Sequence, residues 1–184
     1  MFLTAYIDLS SQKAEVIESP KETVEKFLGS RGYAAKLLYD NVSPEVKPFD
    51  PENLLIFSTG LFTGTAWPTS ARFTVTAKSP ATEAYGYANS GGFFGPELRR
   101  AGFDAVVIKG KADNPVYLHI EDEDINIKSA EELWNQKVTE VSEQLKKKHR
   151  KGRVACIGPA GENLVRFSSI MVDEGRAAGR CGLG

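Results

Sequence analysis

A chain of 184 residues with 41% apolar side chains is long enough to close one sizeable core, which excludes a disordered segment. Its 23 basic and 24 acidic residues leave a net charge of -1, which excludes nucleic acid as a bulk partner held along a broad phosphate-binding face. Cys156, Cys181, His119 and His149 show neither C-x-x-C nor H-E-x-x-H spacing, so no zinc or iron–sulfur site is written here, and so low a cysteine count argues against a structural disulfide.

Residues 1–11 lack the basic region and long apolar run of a signal peptide, and no later stretch approaches transmembrane length; the reading is cytoplasmic, with no membrane partner. Residues 2–9 alternate, Ser10-Ser11-Gln12-Lys13 is polar, and 14–18 follow, which together read as a β-hairpin. Ser19-Pro20-Lys21-Glu22 combines an N-cap serine, a proline at the first helical position and a glutamate at N3, so a helix is expected from there to Gly29. A second helical stretch, 33–39, stops in the turn-rich segment 41–51. Residues 54–58 read as a short buried strand, 60–68 as a loop and 72–78 as an alternating strand.

Residues 85–95 hold Gly86, Gly91, Gly92 and Gly95 and lead into a short helix at 96–101 closed by Gly102. Strands are expected at 105–109, 116–120 and 125–128. Ser129-Ala130-Glu131-Glu132 repeats the capping pattern and opens a short helix through Trp134, and 138–149 reads as an amphipathic, lysine-rich surface helix. Strands at 154–157 and 165–172 bracket the turn Gly158-Pro159-Ala160-Gly161. Many short strands adjacent in sequence, with few helices and no linker, predict one α+β domain over 1–184.

An internal echo runs through the chain. The strand at 54–58, a glycine turn and Arg72-Phe73-Thr74 lead to the cluster at 89–95; the strand at 154–157, Gly158 to Gly161 and Arg166-Phe167-Ser168 lead to a cluster at 175–184. Tight-turned β proteins also produce such echoes without duplication, so both readings stand. Under duplication, the second cluster reaches Gly184 without the helix that follows the first.

The two clusters are chemically unusual. In Asn89-Ser90-Gly91-Gly92-Phe93-Phe94-Gly95 an amide and a hydroxyl precede two glycines ahead of a helix start. There the backbone can approach a ligand and free N–H groups favour an anion. In Gly175-Arg176-Ala177-Ala178-Gly179-Arg180-Cys181-Gly182 small residues leave room for a bulky ligand, while Arg176 and Arg180 suit phosphate oxygens. Plain turns, solvated arginines and an Asn89 that only caps the next element are the bland alternatives. Neither segment matches a P-loop or a Rossmann fingerprint.

Thr63-Gly64-Thr65, Arg72-Phe73, Ala77-Lys78-Ser79-Pro80, the run from Ala88 to Leu98, Ala101-Gly102-Phe103-Asp104-Ala105, Gly110-Lys111-Ala112, the run from Ile157 to Leu164, and Gly175-Arg176-Ala177-Ala178-Gly179-Arg180 resemble the aldehyde ferredoxin oxidoreductase family, in order along the whole chain. The resemblance implies the N-terminal domain of a longer enzyme, truncated at or near its C-terminal edge. Its fold would be α+β, with two β-sheets related by a pseudo-twofold (internal duplication) and a few peripheral helices. On it would rest a tungsten or molybdenum bis-pterin. The implied reaction oxidises aldehydes to carboxylic acids and passes electrons through a [4Fe–4S] cluster, held by the downstream part, to ferredoxin. The remaining domains, ferredoxin and the aldehyde are the implied partners, and a homodimer is compatible.

Carried over position by position, Arg72, Asn89, Ser90, Gly91, Gly92, Arg176, Ala177, Gly179 and Arg180 would contact the pterin and its phosphates. The Asn89 side chain and the Ala177 carbonyl would be ligands of a magnesium ion linking the two phosphates, a hard cation that suits oxygen donors. No residue is singled out as a catalytic acid or base: His119 is expected to face solvent, His149 to end a lysine-rich helix, and Glu162, after a glycine turn, reads equally as a structural acceptor or a catalyst. The chain departs from the family at Cys181, where glycine is usual, at Ser70-Ala71, where a glycine pair is common, and at Trp67, which replaces a small residue. A non-glycine side chain at 181 resists positive φ and adds bulk beside the ligand. A stand-alone module binding a pterin or another phosphate-bearing ligand without turnover is the alternative, and an interaction protein that has lost its cofactor is a third.

Overall fold

The computed structural model describes residues 1–150, 152–173 and 175–184. The expected hairpin is present as β1 (Leu3–Asp8) and β2 (Lys13–Glu18). β2 is exposed along its whole length and carries Lys13, Glu15 and Glu18, charges that keep an open edge from pairing with another chain.

α1 (Lys21–Phe27) starts where expected, but Ser19 does not cap it. The Ser19 hydroxyl is buried and shares hydrogen bonds with Thr4 Oγ1 (2.9 Å) and Tyr33 Oη (2.6 Å). A tertiary network outcompetes the local cap, because burial would leave two other hydroxyls short of partners. α2 (Ser30–Asn41) extends beyond the expected 33–39 and buries Tyr33, Ala34, Leu37 and Leu38 on one side.

A six-stranded sheet in the order β2-β1-β6-β3-β4-β5 organises the rest, with β3 (Leu55–Thr59), β4 (Phe73–Lys78), β5 (Tyr85–Ser90) and β6 (Ala105–Lys109). β6 runs parallel to β1 and antiparallel to β3, reached from β5 through α3 (Phe94–Arg100). One sheet face packs Phe2, Ile56 and Val107 against α2. On the other, Phe73, Val75 and Ala88 meet Ile170, Val172 and Ala178. β4 is buried on both faces, so the alternation read at 72–78 separates two interiors rather than core from water.

The second half contains the hairpin β7 (Val116–Glu121) and β8 (Asp124–Ser129), a 3-10 turn at Glu131–Leu133 and α4 (Val138–Lys148). A three-stranded sheet, β11-β10-β9, follows, built from β9 (Ala155–Cys156), β10 (Ile170–Val172) and β11 (Arg176–Ala178). The expected turn at Gly158 to Gly161 is a one-turn helix, α5 (Pro159–Glu162), with proline in its first turn. Two segments read as glycine clusters, 85–90 and 176–178, are strands; cross-strand hydrogen bonds override glycine's weak strand propensity. Residues 165–169 are not strand. Phe167 is 81% exposed whereas Phe73 is fully buried, so Arg166-Phe167-Ser168 is no structural counterpart of Arg72-Phe73-Thr74.

The architecture is thus the expected mixed one, with several sheets and few helices. The order of elements also repeats, although the local echo does not. Each half runs hairpin, helix, then an antiparallel three-stranded meander: β1-β2 with β3-β4-β5, and β7-β8 with β9-β10-β11. In the first half β6 lies between β1 and β3 and joins hairpin to meander. In the second, no strand of the described residues lies between β7 and β9. Beside them opens a largely apolar cleft of about 880 Å³, with Leu118, Ile120, Val154 and Cys156 in its walls.

His119 is half-buried rather than solvent-facing. Its ring stacks on His149 at 3.9 Å between centroids, with Lys128 Nζ 3.3 Å from its Nδ1, while His149 Nε2 lies 3.0 Å from the Tyr117 hydroxyl. Burial, then His119, Lys128 and Lys148, hold the His149 pKa below its ordinary 6.5, against a weaker opposing pull from Glu121. A histidine kept neutral by the fold binds its proton more readily when unfolded. Stability therefore falls as pH drops through about 6.5 toward the lower folded value. Urea unfolding at pH 7.5 and 5.5 should show the loss, and His149→Gln should reduce it; an unchanged pH dependence in the variant would show that the loss arises elsewhere.

Candidate functional site

β5 ends at Ser90, and Gly91 and Gly92 turn the chain into α3, Gly92 at φ +96°. Across this turn lies the β10–β11 hairpin. A Cβ built on Gly91 would meet Arg176 Nη1 at 3.4 Å, and one on Gly92 would stand 2.8 Å from Arg176 Cδ. At the far end of β5, a Cβ on Gly86 would come within 3.0 Å of Cys181 Cβ, and the Ser79 hydroxyl donates to the Cys181 carbonyl (2.6 Å). Residues 176–181 therefore run antiparallel beside 86–92. The two glycine-rich segments, far apart in sequence, form one strip.

Arg72 precedes Phe73, whose cross-strand partner is Ser90, which puts Arg72 level with Gly91. Arg72, Asn89, Arg176, Ala177, Gly179 and Arg180 are exposed, and Gly91 and Gly92 half-buried. The Ser90 side chain is the exception: it is buried, turned toward the core beside Phe73, so only a shift of the strand would bring its hydroxyl to a ligand. Asn89 lies within a strand, opposite Thr74, and caps nothing. Its Oδ1 accepts the Thr74 hydroxyl at 2.7 Å, and Thr74 Oγ1 lies 2.8 Å from Ser30 Oγ.

The strip suits a phosphate-bearing ligand. Arg72, Arg176 and Arg180 form no ion pair with a described residue. A Cβ on Gly175 would meet nothing within 4 Å, and one on Gly179 only Ala177 Cβ at 3.5 Å, so the backbone is open to close approach. Among the described residues no group of three histidine, cysteine or acidic side chains could hold a metal. A cation here would draw instead on amide and carbonyl oxygens and on the ligand's own phosphates.

Cys181 adopts φ +68°, the conformation glycine would take without strain. Cys181→Gly should therefore raise stability by about 0.5–1 kcal/mol, read as a higher melting temperature, because the contact of Sγ with the Tyr87 carbonyl (3.5 Å) is weak. A lowered melting temperature would show that Sγ packing outweighs the strain. Sequence reasoning missed Asp173. It accepts hydrogen bonds on Oδ2 from the N–H groups of Phe93 and Phe94, the donors expected to await a phosphate. A single acid in a turn carries no signal that separates it from a solvated one.

The family model described as aldehyde ferredoxin oxidoreductase, N-terminal domain, matches residues 4–184. The tungsten-containing aldehyde ferredoxin oxidoreductase of Pyrococcus furiosus is 48% identical over 180 residues, 97% of this chain and 30% of that protein. That of Thermococcus kodakarensis is 46% identical over the same shares. Among solved structures, the active site complex BamBC of benzoyl coenzyme A reductase with 1,5 dienoyl-CoA superposes with a TM-score of 0.96 at 38% identity, covering 98% of this chain and 28% of that one. The chain spans about 30% of the length of the curated relatives it matches most fully. On this match of sequence and fold, the chain belongs to the aldehyde ferredoxin oxidoreductase N-terminal domain family.

Proposed function

We propose that this chain is the metallopterin-binding base of a tungsten- or molybdenum-dependent oxidoreductase that converts aldehydes to carboxylic acids, with ferredoxin as electron acceptor. The observation that carries the reading is the strip itself: two glycine-rich segments laid side by side, open at the backbone, with three arginines free of ion pairs to described residues. The bound tungsten or molybdenum bis-pterin would supply the two-electron oxidation, and this chain's residues would hold it in place. Arg72, Arg176 and Arg180 offset the phosphate charge; Gly91, Gly92 and Gly179 admit the ligand; Asn89 Oδ1 and the Ala177 carbonyl offer oxygens to a magnesium ion. Ser90 serves through its buried packing.

No residue of the strip is a general acid or base, so proton transfer and the [4Fe–4S] ligands are assigned to the downstream part of the enzyme, along with the aldehyde site and the ferredoxin contact. Among the described residues no helix is long and apolar enough to cross a membrane. A benzoyl coenzyme A reductase complex shares this fold at 38% identity, and the higher identity to aldehyde enzymes supports aldehydes here.

The test uses the full-length protein. It should copurify with a pterin and tungsten or molybdenum and reduce ferredoxin or a viologen dye when given an aldehyde, whereas the 184-residue piece should not turn over. A full-length protein with pterin but no turnover would favour a carrier module. One without pterin would remove the cofactor reading, and turnover by the short piece would remove the division of labour.

A further inference from the structure

The two N–H groups best placed to receive an anion between β5 and α3 are already engaged. Asp173 lies in the β10–β11 turn at φ +45°, and its Oδ2 accepts from the N–H groups of Phe93 and Phe94, the latter at 3.1 Å. Its Oδ1 is buried and finds no partner among the described residues. Gly92 makes the approach feasible: a Cβ there would collide with Asp173 Oδ2 and press on Arg176, with Nε 3.2 Å away. The glycine at 92 is thus required by a carboxylate of the same chain.

We propose that Asp173 is a positioning residue for the cofactor strip: its clamp on the turn from Gly91 to Phe94 holds the β10–β11 hairpin so that the Arg176 guanidinium stands beside Gly91 before a ligand arrives. Arg176 is three residues farther along the same hairpin, where it pairs with Val172. A carboxylate accepting two backbone N–H bonds is a charge-assisted contact, strong enough to order a short turn. An arginine already in place spares the ligand the cost of ordering it. On this geometry the ligand's phosphate is received by the arginines and at Gly91, and not by the N–H groups of Phe93 and Phe94.

The inference rests on the cofactor reading above, and the experiment keeps the two apart. In the full-length protein, Asp173→Ala should speed hydrogen exchange at Phe93 and Phe94 by about tenfold or more and lower pterin and metal per folded protein severalfold. Asp173→Asn retains an oxygen that can accept both bonds but loses their charge assistance, so it should fall between wild type and Asp173→Ala in both readouts. Should Asp173→Ala not fold, Gly92→Ala, which forces the carboxylate away, should reproduce the faster exchange at Phe93 and Phe94, the readout that does not depend on Gly92's own place in the ligand path. Phe2→Leu, a core change remote from the strip, serves as the stability control and should leave cofactor content unchanged. A normally loaded Asp173→Ala protein, or an Asn variant as poorly loaded as Ala, would overturn the positioning role. Wild-type protein without pterin would sink the cofactor reading, while exchange at Phe93 and Phe94 would still decide the clamp.

Discussion

In the full-length protein, Asn89→Leu should lower pterin and metal content about tenfold or more while costing only about 1 kcal/mol of stability. The small structural cost follows from where Asn89 sits. It is exposed on β5, and among the described residues its one side-chain bond is the acceptance of the Thr74 hydroxyl, which retains Ser30 as a neighbour. Leucine keeps roughly the same volume and removes the oxygen proposed to reach magnesium. Asn89→Asp, which keeps an acceptor oxygen, should hold considerably more cofactor than Leu. Phe2→Leu provides the comparison: Phe2 is 7% exposed and packs edge-on against Tyr33 at 4.9 Å, so it should cost a similar amount and lose no cofactor. Metal and pterin per folded protein, with a melting curve for each variant, separate the cases. A fully loaded Asn89→Leu protein would show that the residue serves only its bond to Thr74.

Gly182→Ala should cost about 3 kcal/mol or more, and this is the largest stability effect expected from one added methyl group. Gly182 is at φ +66°, and a Cβ there would overlap the Arg166 carbonyl, 2.7 Å from its carbon, and would lie 3.3 Å from Pro80 Cγ. Arg166 and Pro80 would have to move, and with them the Ser79–Cys181 bond that closes the strip. Gly179→Ala is the informative contrast. Its Cβ would touch only Ala177 Cβ at 3.5 Å, so stability should change by less than about 0.5 kcal/mol while the methyl group protrudes into the proposed ligand path and lowers cofactor content. Urea unfolding gives both stabilities. A Gly182→Ala protein as stable as wild type would show that the C-terminal segment can settle elsewhere. An unstable Gly179→Ala protein would show that the strip is packed where it is described as open.

Much of the fold was readable from local pattern. The first hairpin, α3, the β7–β8 hairpin and α4 are all carried by periodicity and turn residues within a few positions of one another, and all appear close to the expected bounds. The failures share a cause. Ser19 has the chemistry of a cap, but its hydroxyl is used by Thr4 and Tyr33 from other elements. β5 and β11 look like glycine loops until β4 and β10 supply hydrogen-bonding partners. His119 alternates as if toward water, but α4 brings His149 onto it.

The candidate site divides in the same way. Its composition was present in the sequence: exposed arginines, adjacent glycines and an asparagine in segments that resemble a family, a resemblance the family match bears out. Residue types state which bonds are possible, and a run of residues in order states which ancestor arranged them. The antiparallel meeting of 86–92 with 176–181, the inward turn of Ser90 and the clamp of Asp173 on Phe93 and Phe94 were decided by tertiary structure alone. Each depends on contacts between positions dozens of residues apart. Periodicity and capping signals act over a few residues, whereas burial and hydrogen-bond satisfaction are settled only when distant strands compete for the same partners.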